Sequence, residues 1–285
     1  MNQRLTTISV VSHEHGDDIP NLLADLTAFG SQSICEVVVT LNVPEAELSE
    51  WIEAHDWPFR VSLIHNLSPM GYGANHNQAF GKCKSPYFCV VNPDIRLTRD
   101  PFPRLIEALN FSDVGCAYPL QSDGRGRPTD YARAVPTPLT LARRYFVPSS
   151  RKKPQPHHWI NGAFMLFKST TFSLIDGFDA NYFMYCEDVE ICLRLYLKGL
   201  RILPVEQAVV LHAAQHASRR HFKHFKWHIS SLWRLWHSPA YQRFTRIEYE
   251  GKESTVAPQG LLSLDEFPAQ HISSNEALLQ RRIND

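Results

Sequence analysis

Short apolar segments alternate with segments of helical spacing over the first 91 residues of this 285-residue chain. The apolar segments are residues 5–11, 35–42, 61–65 and 87–91. Between the first two, Pro20 opens a stretch with apolar residues at 22, 23, 26 and 29, and Gly30 is a typical helix stop. Residues near 45–55 and 71–83 also have helical composition. Because each apolar segment is short and continuous, the pattern predicts an α/β fold with a mostly parallel sheet covered by helices on both faces.

Composition and charge exclude several classes of protein. Hydrophobic residues make up 44% of the chain and charged residues 20%, an ordinary globular mixture. Lys and Arg together number 29, as do Asp and Glu, and this balance argues against a nucleic-acid partner. The six cysteines include no C-x-x-C pair, the N-terminus lacks the apolar core of a signal peptide, and no apolar run approaches the ~20 residues of a membrane span. We therefore expect a cytoplasmic protein with reduced thiols.

The balanced charge hides two basic windows. Residues 131–175 contain no Asp or Glu and seven Lys or Arg, and residues 207–247 repeat that count. The remainder of the chain therefore carries the excess of acids. Such patterning predicts basic surfaces that would attract anionic ligands.

Two polar motifs follow apolar segments, where parallel sheets bind their ligands. Asp94 comes after segment 87–91 and Pro93, a position that suits a divalent cation and the phosphates it bridges, although an Asx turn is the alternative. Gly71 and Gly73 lie between a strand and a helix, where the backbone can approach a phosphate closely. This loop is not G-x-G-x-x-G, so a dinucleotide oxidoreductase is a remote hypothesis.

The densest motif is Tyr182-Phe-Met-Tyr-Cys-Glu187-Asp188-Val-Glu190, in which aromatic residues precede carboxylates at the start of a helical segment. Aromatic side chains packed beside carboxylates can tune a general base, and stabilisation by the helix dipole is the alternative explanation. Further along, the apolar segment 208–211 ends in His212. A single histidine is usually structural, but its position at a strand end favours the edge of a ligand site.

These motifs together resemble a family 2 glycosyltransferase, and they are most similar to the bacterial rhamnosyltransferases of surface-polysaccharide assembly. The residues that carry the resemblance are Asn92-Pro-Asp94, Gly162-Ala-Phe-Met-Leu, Gly177-Phe-Asp179, Tyr182-Phe-Met-Tyr-Cys-Glu-Asp188, Cys192-Leu-Arg194, Gly199 and His212 to Ser218. The resemblance covers about residues 5–240 and is most specific over 159–218. It implies a GT-A fold (a Rossmann-like, mostly parallel sheet flanked by helices), a nucleotide-sugar donor and inversion at the anomeric carbon.

The resemblance also implies roles for individual residues. Asp94 matches the metal-binding aspartate of the family's D-x-D-type motif, and His212 matches its C-terminal metal ligand. The metal would be Mn²⁺ or Mg²⁺. Asp188 matches the catalytic base, with Glu187 beside it. The remaining matches are expected to contact the dTDP- or UDP-sugar: Ser12 and Asn42 in the nucleoside pocket, Gly71 and Asn77 in the glycine loop, and Gly162 and Ala163 beneath the donor sugar.

Three positions depart from the family's pattern. Asn92 replaces the first acid of the D-x-D motif, as in many members. In the family, an acid at the end of the second strand commonly contacts the nucleotide base. This chain has Thr40-Leu41-Asn42 there, so the sequence leaves the identity of the nucleotide base open. Pro69 occupies a position where an asparagine often precedes the glycine loop.

The sequence predicts a GT-A nucleotide-sugar-binding and catalytic domain over residues 1–218, with a mobile acceptor-side loop at 119–158. Residues 219–285 are expected to form a C-terminal helical extension, an amphipathic helix followed by an irregular tail. Phe222, Phe225, Ile229, Leu232, Trp233 and Trp236 recur in this extension at helical spacing among basic residues. Their stripe over 219–246 predicts peripheral contact with an anionic membrane at the inner face of the cell, and packing on the domain is the alternative.

The leading hypothesis for function is inverting transfer of L-rhamnose from dTDP-rhamnose to a hydroxyl of a glycan or lipid-linked glycan, in O-antigen or capsule assembly. A second hypothesis keeps the fold but uses a UDP-hexose or UDP-N-acetylhexosamine donor. A third, of another class, is a catalytically silent glycosyltransferase-like binding protein. The presence of Asp94, Asp188 and His212 together disfavours the silent alternative. The sequence does not predict an oligomeric state.

Overall fold

The computed structural model describes residues 4–129, 131–138, 157–212 and 222–253. Its strands are β1 Thr6–Ser12, β2 Ile34–Leu41, β3 Arg60–His65, β4 Tyr87–Val91, β5 Ile95–Arg96, β6 Val114–Ser122, β7 Ala132–Ala134, β8 His158–Ile160, β9 Phe164–Lys168 and β10 Arg201–His212. Its helices are α1 Asp18–Asp25, α2 Ala46–Glu53, α3 Tyr72–Phe80, α4 Phe102–Ala108, α5 Ser169–Leu174, α6 Glu187–Leu197, α7 Phe222–His237 and α8 Pro239–Glu253.

The central sheet has eight strands in the order β3-β2-β1-β4-β9-β6-β10-β5. Neighbours among β3, β2, β1 and β4 are parallel, as are β6 and β10, whereas β9 runs antiparallel between β4 and β6. Val91 pairs with Phe164, so the residues before β9 lie beside the carboxyl end of β4. This mixed α/β sheet flanked by helices confirms the predicted fold class.

Side chains from both faces of the sheet are buried in separate hydrophobic clusters. On β4, Cys89 and Val91 pack into one cluster, and Phe88 and Val90 pack into the other. The alternation follows from the two-residue repeat of a strand, because successive side chains point to opposite faces. Burial on both faces explains why these strands read as continuous apolar runs.

Several predicted boundaries differ from the structure. The helix expected after Pro20 begins at Asp18, and Leu26–Gly30 continue it as a π-helical turn. Of the expected loop 119–158, residues 119–122 complete β6, and 132–134 pair with 158–160 in a separate two-stranded sheet. The expected tail contributes residues up to 253 to α8. The mobility predicted for 139–156 and the irregular structure predicted for 254–285 lie outside the described residues.

Contacts between Cα atoms group residues 1–246 into one compact unit and residues 247–285 into a second. Only 247–253 of the second unit are described, and they are helical. The domain boundary predicted at 218/219 falls within 213–221, which are not described, so it stays a prediction. Within the described ranges, no helix combines the length and the apolar character needed to span a bilayer.

Candidate active site

The side chain of Tyr72, at the start of α3, joins three segments at the carboxyl edge of the sheet. Its hydroxyl lies 2.7 Å from the carbonyl oxygen of Gly162 and 3.1 Å from Oδ1 of Asn92, and it donates its proton between them. Burial, and then three nearby carboxylates, raise the pKa of this hydroxyl well above its ordinary value. The three carboxylates are those of Glu187, Asp188 and Asp94. Tyr72 is therefore a neutral donor around which the predicted acids are gathered.

Asp94, in the turn between β4 and β5, forms a pair with His212, the last residue of β10. Nε2 of His212 lies 3.3 Å from Oδ2 of Asp94, and both side chains are largely buried. On the other side of the ring, Nδ1 of His212 is 2.9 Å from Oε1 of Gln121. The amides of Gln121 and Asn161 exchange two hydrogen bonds, so this oxygen is an acceptor and Nδ1 carries a proton. In the neutral ring, the lone pair of Nε2 therefore points toward the Asp94 carboxylate.

A lone pair and a carboxylate repel each other at 3.3 Å. The arrangement is therefore favourable only if a cation lies between the two groups or if one of them carries an additional proton. Burial acts to raise the pKa of Asp94, but with a proton on Nε2 as well as Nδ1, the hydrogen bond and the charge of His212 outweigh burial and lower this pKa. Within the described ranges, no three His, Cys, Asp or Glu side chains form a metal-binding group. One carboxylate and one imidazole oriented by an amide nevertheless suit a divalent cation, for which these two side chains would supply part of the coordination.

Asp188, at the start of α6, has several contacts that stabilise its ionised form. Its Oδ1 accepts a hydrogen bond from the Val189 amide at 2.8 Å, and its carboxylate also accepts one from the Gly162 amide. Arg133 on β7 adds an attractive positive charge. Burial opposes these contacts and raises the pKa of Asp188 to about 6. A carboxylate with this pKa is ionised at neutral pH and still basic enough to take a proton.

Glu187 differs from its neighbour although the two are adjacent in sequence. Its side chain is buried, and its Oε2 has no hydrogen-bond partner. Burial, and then the charge of Asp188, raise the pKa of Glu187 well above its ordinary value. Since fewer contacts favour its ionised form, Glu187 takes up a proton before Asp188 does. Of the two carboxyl groups, Glu187 therefore holds a proton more readily, and Asp188 ionises more readily.

The backbone before α6 is held in an uncommon conformation. Tyr185 and Cys186 have φ angles of 73° and 67°, in the left-handed region that non-glycine residues rarely adopt. Such a conformation persists only where the surrounding structure enforces it, and it is frequent at functional sites. Here it turns the chain so that α6 begins with Glu187 and Asp188 in its first turn.

Two glycines allow backbone segments of the site to approach closely. A Cβ on Gly71 would lie 2.5 Å from the carbonyl oxygen of Tyr182, and the adjacent amide of Tyr72 donates to Phe183 at 2.8 Å. A Cβ on Gly162 would lie 2.9 Å from the Tyr72 hydroxyl. These contacts bring the glycine loop against the aromatic segment before Asp188. Ala163 is buried, and its carbonyl accepts from the Asn92 amide at 2.9 Å.

Two of the predicted nucleoside contacts form hydrogen bonds within the protein. The hydroxyl of Ser12 donates to Oε2 of Glu45 at 2.8 Å. Asn42 binds Met70 in both directions, accepting from its amide at 2.8 Å and donating to its carbonyl at 3.1 Å. Both residues are buried at the carboxyl ends of β1 and β2. Asn42 therefore positions the segment before Gly71, and its side chain is not exposed at the carboxyl edge of the sheet.

The side chain of Asn77, on α3, is hydrogen-bonded to the backbone of Phe178. Its Nδ2 donates to the carbonyl of Phe178 at 2.7 Å, and its Oδ1 accepts from the amide of Phe178 at 2.8 Å. Both polar groups of its side chain are thereby used to hold the turn at Gly177, which has a φ of 61°. In this structure the side chain of Asn77 binds protein backbone, and its contact with the nucleotide sugar stays a prediction.

Sequence reasoning missed two residues of this site. The role of Tyr72 was not predicted, because this residue was considered only as the position between Gly71 and Gly73. The sole indication of its role was its position at a helix start. Arg133 lies in the segment expected to be a loop, and its guanidinium stacks over Trp159 at 5.6 Å from the ring centroid. The pairing of β7 with β8 brings Arg133 toward Asp188, and a pairing between strands of three residues leaves little trace in a sequence.

Comparison with known proteins identifies the class of protein to which this fold and these carboxylates belong, the glycosyltransferases. Residues 7–173 match the family described as Glycosyl transferase family 2. Since the match covers more than half of the chain, the protein belongs to that family. This confirms the resemblance inferred from the motifs.

Relatives and solved structures give the same picture. Rhamnosyltransferase WbbL of Escherichia coli K12 is 28% identical over 248 residues, which cover 80% of this chain and 90% of that protein. The N-acetylglucosaminyl-diphospho-decaprenol L-rhamnosyltransferase of Mycobacterium tuberculosis is 25% identical, covering 75% and 77%. The crystal structure of GalNAc-T7 with UDP, GalNAc and Mn²⁺ superposes with a TM-score of 0.58 at 15% identity. That superposition covers 73% of this chain but only 43% of GalNAc-T7, and it shows the fold alone.

Proposed function

We propose that this glycosyltransferase moves L-rhamnose from dTDP-L-rhamnose to a hydroxyl of a lipid-linked glycan, with inversion at the anomeric carbon, in bacterial surface-polysaccharide assembly. The observation that carries the proposal is that two sets of side chains near Tyr72 have different chemical properties. Asp188 is a carboxylate poised to take a proton, and the Asp94–His212 pair is suited to a cation. A direct displacement from a nucleotide sugar needs both functions.

In the proposed reaction, Asp188 accepts the proton of the acceptor hydroxyl. The acceptor oxygen forms a bond to the anomeric carbon from the face opposite the nucleoside diphosphate. The bond from that carbon to the diphosphate breaks, and its electron pair leaves with the diphosphate. Asp94 and His212 would hold Mn²⁺ or Mg²⁺, which supplies neutralisation of the charge that develops on the leaving group. The turn at Tyr185 and Cys186, with its positive φ angles, would hold Asp188 in position relative to the acceptor hydroxyl.

The choice of donor and acceptor is supported by the names of the relatives. Two relatives that cover most of this chain are rhamnosyltransferases, and the mycobacterial name specifies a diphosphate-linked lipid as acceptor. We extend both properties to this chain and place its reaction at the inner face of the cell membrane, where the lipid-linked glycan would be reached by peripheral contact. The amphipathic helix is the part of the chain expected to make that contact.

Nucleotide binding tests the choice of donor. The purified chain is heated with dTDP, UDP or GDP, each with and without Mn²⁺, and its melting temperature is measured. A ligand that binds only the folded state raises the melting temperature according to its concentration and affinity. We expect the largest rise with dTDP and Mn²⁺. A larger rise with UDP would favour a UDP-hexose donor, and no rise with any nucleotide would favour a silent binding protein.

The rate of transfer is expected to fall in acid. Because burial raises the pKa of Asp188 to about 6, this carboxylate is protonated and unable to act as a base below that pH. We expect kcat/KM to decrease about tenfold for each pH unit below 6. The measurement is initial rate at saturating Mn²⁺ from pH 4.5 to 8, with nucleotide affinity followed over the same range to separate binding from chemistry. A flat profile across that range would contradict Asp188 as the base.

A further inference from the structure

Helix α7 exposes large apolar side chains along one line. Phe225, Ile229 and Trp233 are spaced four residues apart and are 58%, 51% and 65% exposed. Residues four apart lie on the same face of a helix, so the three form a continuous ridge. We call these three residues the α7 ridge. Side chains of this size are rarely left in water as a group without a partner.

The opposite face of α7 packs on the protein. Leu232 and Leu235 are buried in a cluster with Val189 and Leu193 of α6. Trp236 is half-buried and donates from Nε1 to the carbonyl of Pro136 at 3.2 Å. The stripe predicted from the sequence is therefore divided, because Leu232 and Trp236 pack inward while the α7 ridge faces outward. Packing on the domain is confirmed for Leu232 and Trp236, and contact with a membrane stays a prediction for the α7 ridge.

The same helix contacts the aromatic segment that leads to Asp188. Ser231 donates to the carbonyl of Met184 at 2.8 Å, and Tyr185 is hydrogen-bonded to His224 at 2.8 Å. The rings of Phe183 and Trp227 are 4.8 Å apart. A surface that receives the exposed side of α7 would therefore be separated by this one helix from the backbone segment that positions the base.

The charge around the α7 ridge indicates what the ridge meets. The helix contains no Asp or Glu, and Lys226 and Arg234 lie on its exposed side. The whole window 207–247 has seven Lys or Arg and no acid. An apolar ridge flanked by basic side chains is complementary to a bilayer with anionic headgroups, because the apolar groups enter the headgroup boundary while the cations remain at its surface.

We infer that the α7 ridge docks the enzyme on an anionic lipid bilayer, with Phe225, Ile229 and Trp233 inserted and Lys226 and Arg234 at the headgroups. The preference for a bilayer over another apolar partner rests on the proposed lipid-linked acceptor. Because the segment 182–186 contacts the face of α7 opposite the ridge, docking would hold this segment, and Asp188 after it, one helix diameter (~10 Å) from the membrane surface. The acceptor glycan would then reach the base while its lipid remains in the bilayer.

Flotation of the full chain with vesicles tests this docking. Wild type is mixed with vesicles of phosphatidylcholine alone or with added phosphatidylglycerol, and the bound fraction is measured. We expect binding to the anionic vesicles that weakens as salt is raised. The variant Phe225→Ser/Ile229→Ser/Trp233→Ser is expected to lower the partition coefficient by on the order of tenfold or more. The matched control Phe111→Ser/Leu174→Ser also replaces exposed apolar side chains, and it should bind as wild type does.

Rhamnosyl transfer to a water-soluble acceptor analogue is measured for all three proteins, because this reaction needs no vesicle. Preserved transfer in the triple variant shows that it folds and separates loss of docking from loss of function. Wild type that transfers sugar but fails to float with anionic vesicles would overturn the docking inference alone. A wild-type dimer that dissociates in the triple variant, without vesicle binding, would overturn it in favour of a second copy of the chain.

Discussion

Replacing Asp188 with asparagine is expected to lower kcat by about 10²–10⁴-fold, the usual contribution of a positioned general base. The amide keeps the shape of the side chain but cannot accept the proton of the acceptor hydroxyl. Affinity for the donor nucleotide should change little, because that affinity is assigned to other residues. The measurement is initial rate at saturating donor and acceptor, together with the dissociation constant of dTDP.

The matched comparison for that variant is Glu187→Gln. Glu187 is the adjacent carboxylate, and burial followed by the charge of Asp188 raises its pKa, so the uncharged glutamine resembles the form of this side chain that burial favours. We expect it to retain at least about ten times more activity than Asp188→Asn. An equal or greater loss of activity in Glu187→Gln would show that Asp188 is not the base and that the assignment within the pair is wrong.

The stability of Asp188→Asn distinguishes a lost base from a lost fold. The folded-state pKa of Asp188 is raised, so above pH 6 the ionised carboxylate is less favourable in the folded protein than in the unfolded chain. Removing this charge should leave the melting temperature at pH 8 unchanged or higher. An inactive variant with a lower melting temperature would indicate disruption of the turn at Tyr185 and Cys186 instead.

Replacing Asp94 with asparagine is expected to produce the second large effect, a loss of at least about 100-fold in kcat/KM. The substitution removes the carboxylate that faces Nε2 of His212 and leaves one strong ligand for the cation. The affinity for dTDP should also lose its dependence on Mn²⁺. Calorimetric titration of dTDP with and without Mn²⁺ measures this loss directly.

Asp113→Asn is the control for that experiment. Asp113 is a half-exposed aspartate in an ion pair with Arg201, and surface pairs of this kind contribute little. The control variant should keep the Mn²⁺ dependence of dTDP binding, and chelation should weaken dTDP binding to it as in wild type. If Asp94→Asn binds dTDP with an unchanged response to Mn²⁺, the assignment of Asp94 to the cation is wrong.

The parallel half of the fold could be predicted from the sequence because its physical pattern is local. β1, β2, β3 and β4 are short, continuously apolar and separated by helical segments, and all four are strands within a few residues of the predicted bounds. The strand-end rule then pointed to Asp94 and His212, which the structure brings to 3.3 Å of one another.

The contacts of the site depend on tertiary pairing, which the sequence does not display. β9 inserts antiparallel between β4 and β6, and this insertion brings Gly162 under Tyr72. The amides of Asn42 and Asn77 were expected to contact the donor, but each is engaged by backbone groups far along the chain. An asparagine beside a glycine loop has the same appearance in a sequence whether it binds a ligand or holds a turn.

The most direct test of the proposed function is a transfer reaction with the purified full chain. dTDP-L-rhamnose and Mn²⁺ are supplied with a lipid-diphosphate-linked N-acetylglucosaminyl acceptor, and the product is examined by mass spectrometry and by NMR of its anomeric centre. We predict addition of one rhamnose with a configuration inverted relative to the donor. Retention of configuration, or transfer from a UDP-hexose and not from dTDP-L-rhamnose, would contradict the proposal.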